Sequence, residues 1–341
     1  MTALVTGATG FLGKAFVARL LAHGTEGVRC LVRDRSRAIH LERLAGGHGA
    51  LSLVHGSLAS PEAALAALGD ADVVYHLAAG TGGAAADLFL NTVVASKNLL
   101  EAMLRRPQPP KVVLVSSFGV YGTADLPRGA LVDEETPLEA HPERRDLYSQ
   151  AKLRQEKLFR EYRDRHGFPL VVVRPGVIYG PGGTPISSRV GLALPGIYLH
   201  LGGRNLLPLT YVDNCAEALV VAGSRGATDG QSYNVVDDDL PTCADYLRRY
   251  RREVRALRTV RMPYPVSQAL SWLCERYSEH SQGQLPAFLT RYRTATSWGG
   301  NRFSNTKLKS LGWQPIVPTD EGLRRTFAAL GSLAGAASGA G

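Results

Sequence analysis

The sequence predicts an α/β fold, in which a doubly wound parallel sheet is interleaved with a smaller C-terminal lobe. Three observations lead to this prediction. A glycine-rich turn follows the first short apolar segment, between Val5 and Phe11. Short apolar segments then alternate with helical stretches as far as Arg174, the pattern of successive βαβ units. Beyond Arg174 the alternation stops, and 341 residues are enough for one large domain and a smaller lobe.

Taken in order, the apolar segments predict six parallel strands, near 2–5, 27–32, 51–55, 73–77, 111–116 and 169–174. We assign residues 1–174, completed by 207–237, to the sheet domain. The lobe then consists of 175–206 and 238–330, and its segments are expected to be irregular or helical. Residues 331–341 are mostly Gly, Ala and Ser, so a disordered tail is expected there.

The glycine-rich turn predicts a dinucleotide site. Gly7 and Gly10 lie between the first strand and a helix expected over Phe11–Ala22, and Gly13 lies in the first turn of that helix. Glycines in this arrangement permit a tight turn, close approach of the backbone to a pyrophosphate, and packing of the helix on the strand. The helix start presents free amides and a positive dipole end to phosphate. We therefore predict that the sheet domain is of the Rossmann type.

Tyr148 and Lys152 predict an acid–base site. They lie four residues apart in a helix expected over about 146–165, so they share one face. A lysine charge close to a phenol favours tyrosinate and lowers the phenol pKa, which makes Tyr148 a usable acid or base. Ser117 follows the apolar run 111–116 and can hold a substrate oxygen. A surface helix with an incidental Tyr and Lys is the alternative that the other motifs disfavour.

These motifs resemble the extended short-chain dehydrogenase/reductase family over nearly the whole chain. Further matches are His76-Leu-Ala-Ala79, Asn91, Arg174-Pro-Gly-Val-Ile-Tyr-Gly-Pro181, Tyr211-Val-Asp213-Asn214 and Tyr233-Asn-Val-Val. The resemblance implies a nicotinamide cofactor and catalytic roles for Ser117, Tyr148 and Lys152. It also implies that Lys152 holds the nicotinamide ribose and that Asn91 joins a proton relay. A homodimer formed by the Asn91 and Tyr148 helices is implied in the same way.

Cofactor preference depends on the residues that follow the second strand. Arg33 and Arg37 are placed to meet the 2′-phosphate of NADP(H), which is therefore favoured over NAD(H). Asp34 would serve NAD if the strand ran one residue longer. Ser57 replaces the Asp that many relatives carry after the third strand, although it can still meet the adenine. The full set of expected cofactor contacts is Gly7, Thr9, Gly10, Phe11, Leu12, Gly13, Arg33, Arg37, Ser57, Leu58, Ala78, Ala79, Tyr148, Lys152, Pro175, Gly176 and Val177.

Composition narrows the class of protein. The net charge is +9, but the run of arginines over 248–261 is interleaved with apolar residues at helical spacing, so nucleic-acid binding is not predicted. A positive surface would also attract an anionic dinucleotide, or a carboxylated, phosphorylated or thioester-carried substrate. The four cysteines lack metal-ligand spacing, so no metal is expected. The chain begins on its first strand and has no long apolar stretch, so a cytoplasmic enzyme without a transmembrane segment is expected.

Two departures from the family bear on the substrate. Nucleotide-sugar enzymes of the family typically carry an arginine at the position of Leu207, and their segment corresponding to Gly80–Ala86 is longer. The stretch 186–199 is rich in apolar residues and suits an apolar ligand, although a lid packed on its own core would look the same. The chain looks closer to the 3β-hydroxysteroid-dehydrogenase-like and dihydroflavonol-reductase-like branches. We therefore expect an NADPH-dependent reductase of a ketone, or dehydrogenase of the alcohol, on a mainly apolar cyclic or acyl substrate.

Three alternatives stay open. The first is a nucleotide-sugar epimerase, dehydratase or reductase, in which Arg189 or Arg204 would contact the phosphates. The second is a non-catalytic NADP-sensing protein, which an intact Ser117, Tyr148 and Lys152 disfavour. The third is peripheral membrane attachment through 262–277, a segment whose length fits a substrate-lobe helix equally well.

Overall fold

The computed structural model describes residues 1–224, 229–280 and 289–338. Its strands are β1 (Thr2–Thr6), β2 (Gly27–Val32), β3 (Leu51–His55), β4 (Val73–His76), β5 (Lys111–Val115), β6 (Leu131–Val132), β7 (Leu170–Pro175), β8 (Val177–Tyr179), β9 (Gly191–Leu194), β10 (Ile197–His200), β11 (Leu209–Tyr211), β12 (Ser232–Val235), β13 (Thr259–Arg261) and β14 (Arg302–Phe303). Its helices are α1 (Phe11–Ala22), α2 (Ile39–Gly47), α3 (Pro61–Leu68), α4 (Ala85–Phe89), α5 (Ala95–Met103), α6 (Leu147–His166), α7 (Val212–Ser224), α8 (Cys243–Glu253), α9 (Tyr264–His280), α10 (Arg291–Trp298), α11 (Thr306–Lys309) and α12 (Thr319–Ser338). A π-helical stretch, Leu90–Val94, joins α4 to α5.

The largest sheet in the described ranges has seven strands in the order β12-β7-β5-β4-β1-β2-β3. Every pairing within it is parallel. The six strands predicted from the sequence are β1 to β5 and β7, and β12 lies within the segment predicted to return to the sheet. The order reverses beside β1, where β4 and β2 lie on opposite sides of it. The predicted doubly wound fold is therefore confirmed.

The sheet is covered by helices on both faces. Leu4 belongs to a core formed with α3, α5 and α6, whereas its neighbours Ala3 and Val5 belong to a core formed with α1, α2 and α7. This alternation follows from strand geometry, because successive side chains point to opposite faces. A strand that is buried on both faces has an almost continuous run of apolar residues in its sequence, and these runs made the strands predictable.

Helix α6 has the bounds that the sequence predicts, because both of its ends are capped. The Asp146 carboxylate accepts a hydrogen bond of 3.0 Å from the Ser149 amide at the start of the helix. Gly167 takes a left-handed conformation, with φ of 72°, just beyond its end. Tyr148 and Lys152 therefore lie in the first and second turns of this helix.

The smaller lobe contains strands that the sequence did not predict. Residues 175–206 were expected to be irregular or helical, and this is wrong for β8 and for the hairpin of β9 and β10. Leu194 pairs with Ile197 across a two-residue turn, in which Gly196 has φ of 77°. A Pro-Gly pair in a turn of this kind is a recognised signal, and it outweighs the weak strand propensity of the flanking residues. β13 then adds to β10 in parallel.

The C-terminal prediction also needs correction. A disordered tail was expected from Gly331, but α12 continues to Ser338, since alanines there outnumber glycines and Ala is the strongest helix former. Residues 339–341 lie outside the described ranges. No helix in the part of the chain that the structure describes is long and apolar enough to cross a lipid bilayer. The assignment of the two parts to cofactor and substrate stays a prediction.

Candidate functional site

The turn between β1 and α1 has room for glycine alone at two positions. Gly7 has φ of 74°, and a Cβ atom there would lie 2.8 Å from the amide nitrogen of Ala78. A Cβ atom on Gly13 would lie 2.2 Å from the carbonyl oxygen of Gly7. Gly10, at the start of α1, has no side chain that could cap the first helical amides. These amides and the bare backbone form a cradle that fits the pyrophosphate of a dinucleotide.

The remaining residues predicted for this end of the site lie in the glycine-rich turn, at the start of α1 or just after β4. Thr9 is half-buried in the turn, and the Phe11 ring packs against the loop 180–183. Leu12 is buried in the core, so its side chain has a packing role. Ala78 and Ala79 follow β4, and the Ala78 amide donates to Thr6 Oγ1 at 3.3 Å.

Asp34 and Arg33 are oriented differently at the end of β2. The Asp34 carboxylate accepts from the amide and the hydroxyl of Ser36, at 2.9 and 2.7 Å. Arg33 instead reaches the helix after β4, where its guanidinium donates to the side-chain oxygen of Asn91. Arg37 is exposed on the same short turn. The carboxylate is thus held by its own turn, whereas the guanidinium of Arg33 extends away from the turn that follows β2.

Ser57 and Leu58 follow β3. The Ser57 hydroxyl accepts from the Ala59 amide at 3.2 Å, and Leu58 is buried with its carbonyl bonded to Asn98 Nδ2 at 2.8 Å. Of these two residues, Ser57 therefore offers a polar side chain at the end of β3, whereas the Leu58 side chain is buried and apolar. Contact of either residue with adenine stays a prediction.

Ser117 and Tyr148 line one cavity of about 350 Å³ at the carboxyl ends of the central strands. The Ser117 side chain lies beside the Tyr148 phenol, close enough to lower the pKa of the phenol. Gly176 and Val177, predicted to lie against a nicotinamide, line the same cavity, and Pro175 ends β7 just before them. A Cβ atom on Gly176 would lie 2.2 Å from the carbonyl oxygen of Pro208, so this position too requires glycine. The structure thus brings together three segments that are far apart in the sequence.

The expected effect of Lys152 on Tyr148 is not found. Burial raises the pKa of the Tyr148 phenol, and the adjacent Ser117 side chain opposes this rise. The Lys152 ammonium points away from the phenol, donating to Val115 O and to Gln155 Oε1, each at 2.6 Å. Burial lowers the pKa of Lys152 itself to about 7, opposed by the charge of Glu156. Tyr148 is therefore set to hold its proton, as a proton donor must.

Lys152 begins a chain of buried polar groups that the sequence did not predict. Gln155 Nε2 donates to His76 Nε2 at 3.1 Å and to Ser96 Oγ at 2.8 Å. The other ring nitrogen of His76 lies 2.8 Å from Thr6 Oγ1. Burial lowers the pKa of His76 to about 3, so the ring is neutral and serves as a packed link in the chain.

Asn91 lies outside this chain of groups. Its side chain accepts from Arg33 and donates to the carbonyl oxygen of Asp87 at 2.7 Å. The neighbouring Thr92 is the residue that faces inward, and its hydroxyl accepts from the Gly80 amide at 2.9 Å. A part for Asn91 in a proton relay stays a prediction.

A buried ion pair fixes α6 against the sheet. Glu156 accepts from Arg174 Nη2 at 2.5 Å and from Ser116 Oγ at 2.6 Å. Burial alone would raise the pKa of Glu156, but its hydrogen bonds with Arg174 and Ser116 lower it. Because Ser116 precedes Ser117 and Glu156 lies two turns after Tyr148, this pair sets the distance between the two site residues.

The cavity wall contains little of the apolar stretch 186–199, for which the sequence allowed either a pocket wall or a lid packed on its own core. Of this stretch, only Ser187, Ser188 and Arg189 line the cavity. The apolar side chains of that stretch are carried by the β9–β10 hairpin into the core or to the outer surface. The cavity is lined mostly by hydroxyl residues and arginines, together with Asp146 and the apolar Phe118, Val177 and Pro208. The hydroxyl residues and arginines are Ser117, Ser149, Ser187, Ser188, Thr296, Ser297, Arg145, Arg189 and Arg293.

The arginines come from three separate segments. Arg145 precedes the cap of α6 and donates to Ser149 Oγ at 3.3 Å. Arg145 and Arg189 line the same cavity, and burial together with the positive charge of Arg145 lowers the pKa of Arg189. Sequence reasoning named Arg189 as a possible phosphate contact and missed Arg145 and Arg293. The place of Arg145 beside the predicted catalytic helix was the one signal available for it.

Comparison with known proteins agrees with this geometry. The model of the NAD dependent epimerase/dehydratase family matches residues 3–235. A 2-alkyl-3-oxoalkanoate reductase of Shewanella oneidensis is 27% identical, over 96% of this chain and 86% of its own. A 4-hydroxy-2-methyl-3-oxo-4-farnesyl-3,4-dihydroquinoline-1-oxide ketoreductase of Stigmatella aurantiaca is 31% identical, over 70% of this chain and 68% of its own.

Among solved structures, the UDP-glucuronic acid 4-epimerase from Bacillus cereus in complex with NAD has the same fold. Its TM-score is 0.71 at 20% identity, over 98% of this chain and 100% of that one. The family match spans the glycine cradle, the Ser117 strand end and the Tyr148 helix together. The chain therefore belongs to the NAD dependent epimerase/dehydratase family, among the extended short-chain dehydrogenases/reductases, and is an NAD(P)-dependent enzyme.

Proposed function

We propose that this chain is an NADPH-dependent reductase of a ketone, and that its substrate carries a carboxylate or another anionic group beside an apolar acyl or cyclic body. The observation that supports this most is the presence of Arg145 and Arg189 in the cavity that also holds Ser117 and Tyr148. A wholly apolar substrate would leave these guanidinium groups facing an apolar partner, which is costly.

The residues of the cavity divide the reaction between them. The nicotinamide, when bound, supplies the hydride in reduction or accepts it in oxidation. Tyr148 donates its proton to the carbonyl oxygen, and its raised pKa keeps that proton available. Ser117 holds the same oxygen by a hydrogen bond while the proton moves. Lys152 lies one turn further along α6 and would hold ribose hydroxyls.

Arg189 is the residue best suited to hold an anion. Within the described residues, its guanidinium makes no hydrogen bond or ion pair. Burial and the neighbouring charge of Arg145 both disfavour its protonated form, and an anion placed between the two arginines would relieve both effects. A planar carboxylate can accept two parallel hydrogen bonds from one guanidinium, which would also orient the substrate.

The names of two relatives agree with a ketone of this kind. The Shewanella protein is named for a substrate in which a 3-oxo group lies close to a carboxylate, and the Stigmatella protein is named as a ketoreductase. The preference for NADPH is supported by Arg33 and Arg37 at the end of β2, and by the engagement of Asp34 with Ser36.

The proposal is tested by comparing an acid with its neutral ester. A 2-alkyl-3-oxoalkanoate and its methyl ester are each reduced with NADPH, and kcat/KM is measured by loss of nicotinamide absorbance. We expect the acid to be favoured by roughly ten- to hundredfold, the scale of charge-assisted hydrogen bonds. Arg189→Met should remove the preference, while Arg204→Met, an exposed arginine outside the cavity, should preserve it. Equal kcat/KM for acid and ester in the parent protein would contradict the proposal.

A nucleotide-sugar substrate is the second candidate, because several arginines in one cavity would also suit a diphosphate. Leu207, at the position of the usual diphosphate arginine, is fully buried and apolar, which weighs against it. Calorimetry of the NADPH-loaded protein with UDP- and dTDP-sugars decides between the two. Tight binding that Arg189→Met abolishes would favour the nucleotide sugar, whereas we expect no binding.

A further inference from the structure

Helix α9 is amphipathic, but unlike an ordinary surface helix it turns its polar side towards the protein and its apolar side towards solvent. Its small polar residues face the protein, and Ser267 and Ser271 are buried. Its apolar residues face outward at spacings of three and four, which is the stripe of one helical face. The stripe consists of Val266, Ala269, Leu270, Leu273 and Tyr277, all exposed, with Trp272 beside it. Leu273 is 54% exposed and Tyr277 62%.

The three-stranded sheet that leads into α9 also turns an apolar face outward. Leu194 pairs with Ile197, and Leu199 pairs with Val260, so these side chains lie on one face of the sheet. Leu194, Ile197 and Val260 are each more than 40% exposed. β13 continues through two residues into α9, so this face and the helical stripe belong to one part of the lobe. We call the two together the docking surface.

The docking surface is flanked by positive charge. Arg258 precedes β13 and lies two residues before Val260, on the same face of the strand, whereas Arg261 ends the strand on the opposite face; both side chains are exposed. Within the described residues, neither makes an ion pair. On the helical side Arg276 lies 5.9 Å from the ring of Trp272, and its guanidinium is paired with Glu279 at 3.2 Å. An apolar stripe with Trp and Tyr at its edge and arginines around it is the composition of a segment that lies in a membrane interface.

We propose that the docking surface binds the surface of an anionic phospholipid bilayer, with α9 lying parallel to the membrane plane. The apolar stripe would enter the boundary between headgroups and acyl chains, while the arginines meet lipid phosphates. A second copy of this chain is less suited, because a symmetric contact would bring the same arginine-rimmed surface against itself. This binding is independent of the proposed substrate, since Ala269, Leu270, Leu273 and Tyr277 do not line the catalytic cavity.

Vesicle binding tests the proposal. The full chain is sedimented with vesicles of phosphatidylcholine and phosphatidylglycerol in equal amounts, and with vesicles of phosphatidylcholine alone. We expect binding to the mixed vesicles, and weaker binding as salt is raised. The double variant Leu270→Ser/Leu273→Ser should weaken it by about tenfold for each leucine, from the apolar area no longer buried. Arg258→Gln should weaken it by about fivefold, and Arg261→Gln, on the opposite face of β13, should weaken it less.

Matched controls separate docking from a folding defect. Leu65→Ser/Leu131→Ser removes two exposed leucines outside the docking surface and should bind vesicles as the parent does. Each variant must melt within a few degrees of the parent. Tryptophan emission should shift to the blue on adding vesicles, and Trp272→Phe should remove most of that shift, because Trp313 is buried and Trp298 is half-buried against Tyr264. The proposal is overturned if the parent binds neither kind of vesicle, or if the serine variant binds as well as the parent. It is equally overturned if the serine variant only converts a dimer of the parent into a monomer.

Discussion

The two halves of the site are built in different ways. In the sheet half, the backbone forms the cradle, and a side chain at Gly7 or Gly13 would collide with backbone atoms only a few residues away or just after the adjacent strand β4. In the lobe, side chains form the cavity, with Arg145, Arg189 and Arg293 contributed by segments that are far apart in the chain. The first half therefore follows from local rules, whereas the second depends on how distant segments pack.

Helix α6 belongs to both halves. Tyr148 faces the cavity with Ser117, while Lys152, one turn on, is buried against Val115 and Gln155 of the sheet half. The buried pair of Glu156 with Arg174 holds the helix in this position. Changes on α6 should therefore affect chemistry, changes in the cradle should affect folding and cofactor, and changes in the arginines should affect substrate preference.

The largest effect is expected from Tyr148→Phe. General acid catalysis contributes about 10²- to 10⁴-fold, so kcat should fall by at least about a hundredfold. The NADPH dissociation constant, measured by fluorescence titration, should stay within a few fold, because the phenol is proposed to donate a proton rather than to bind. Tyr162→Phe, on the same helix but outside the cavity, is the matched control and should leave kcat unchanged. Retention of more than about a tenth of kcat in Tyr148→Phe would show that another group is the acid.

The next prediction compares alanine substitutions at two glycines, Gly13 and Gly46, that both lie in helices. Gly13→Ala places a Cβ atom 2.2 Å from Gly7 O, so we expect a loss of about 3 kcal/mol or more in unfolding free energy, with loss of NADPH binding. Gly46→Ala has no atom within 4 Å of the added Cβ, and should raise the unfolding free energy by about 0.5 kcal/mol. Urea denaturation measures both. If Gly13→Ala unfolded at the same urea concentration as the parent, the cradle would not be as tight as described.

The difference between the sheet half and the lobe also explains which elements could be predicted from the sequence. The strands were predictable because each is buried on both faces, and α6 because Asp146 and Gly167 cap it. The β9–β10 hairpin was missed although its Pro195-Gly196 turn is a known signal, because the flanking residues alternate only weakly. The helical stretch after Gly331 was missed because composition was weighed above helix propensity.

The polar interior of the site could not be predicted, since its pairs are distant in the chain. Gln155 and His76 are 79 residues apart, and no local pattern connects them. The direction of the Lys152 ammonium depends on these partners, so the expected lowering of the Tyr148 pKa failed even though the helix itself was predicted correctly. The sequence likewise left open whether the apolar stretch 186–199 forms a pocket wall or packs on its own core, because its composition does not reveal which face a hairpin turns inward.

A third, smaller effect concerns the cofactor end of the sheet half. Arg33→Ala should weaken NADPH binding by roughly ten- to hundredfold and leave NADH binding nearly unchanged, since only NADPH has the 2′-phosphate that the guanidinium would meet. Arg35→Ala, an equally exposed arginine on the same turn, is the control and should change neither by more than a few fold. Fluorescence titration with both cofactors measures the ratio. An equal loss for the two cofactors would assign Arg33 a structural role through its contact with Asn91.

The smallest effect is a pH dependence, and it tests the junction of the two halves. The pKa of Lys152 is lowered by burial to about 7, so in the free enzyme the ammonium is present below about pH 7 and is lost as pH rises through that value. Tyr148 has a raised pKa and stays protonated over this range, and His76, with a pKa of about 3, stays neutral. If the charge of Lys152 supports reduction, kcat/KM should be constant below about pH 7 and fall by about tenfold per pH unit above it.

The profile is measured with NADPH and the ketone at fixed ionic strength, because kcat/KM reports the pKa values of the free enzyme. Lys157→Met, an exposed lysine one turn further along α6, should keep the profile of the parent. Lys152→Met should retain only a small activity, and that activity should not change with pH near 7. A parent profile that is flat from about pH 6 to about pH 9 would mean that the charge of Lys152 is not needed. In that case, the buried chain from Lys152 to His76 would serve to position α6, and only the Tyr148 and Ser117 side of the helix would take part in the chemistry.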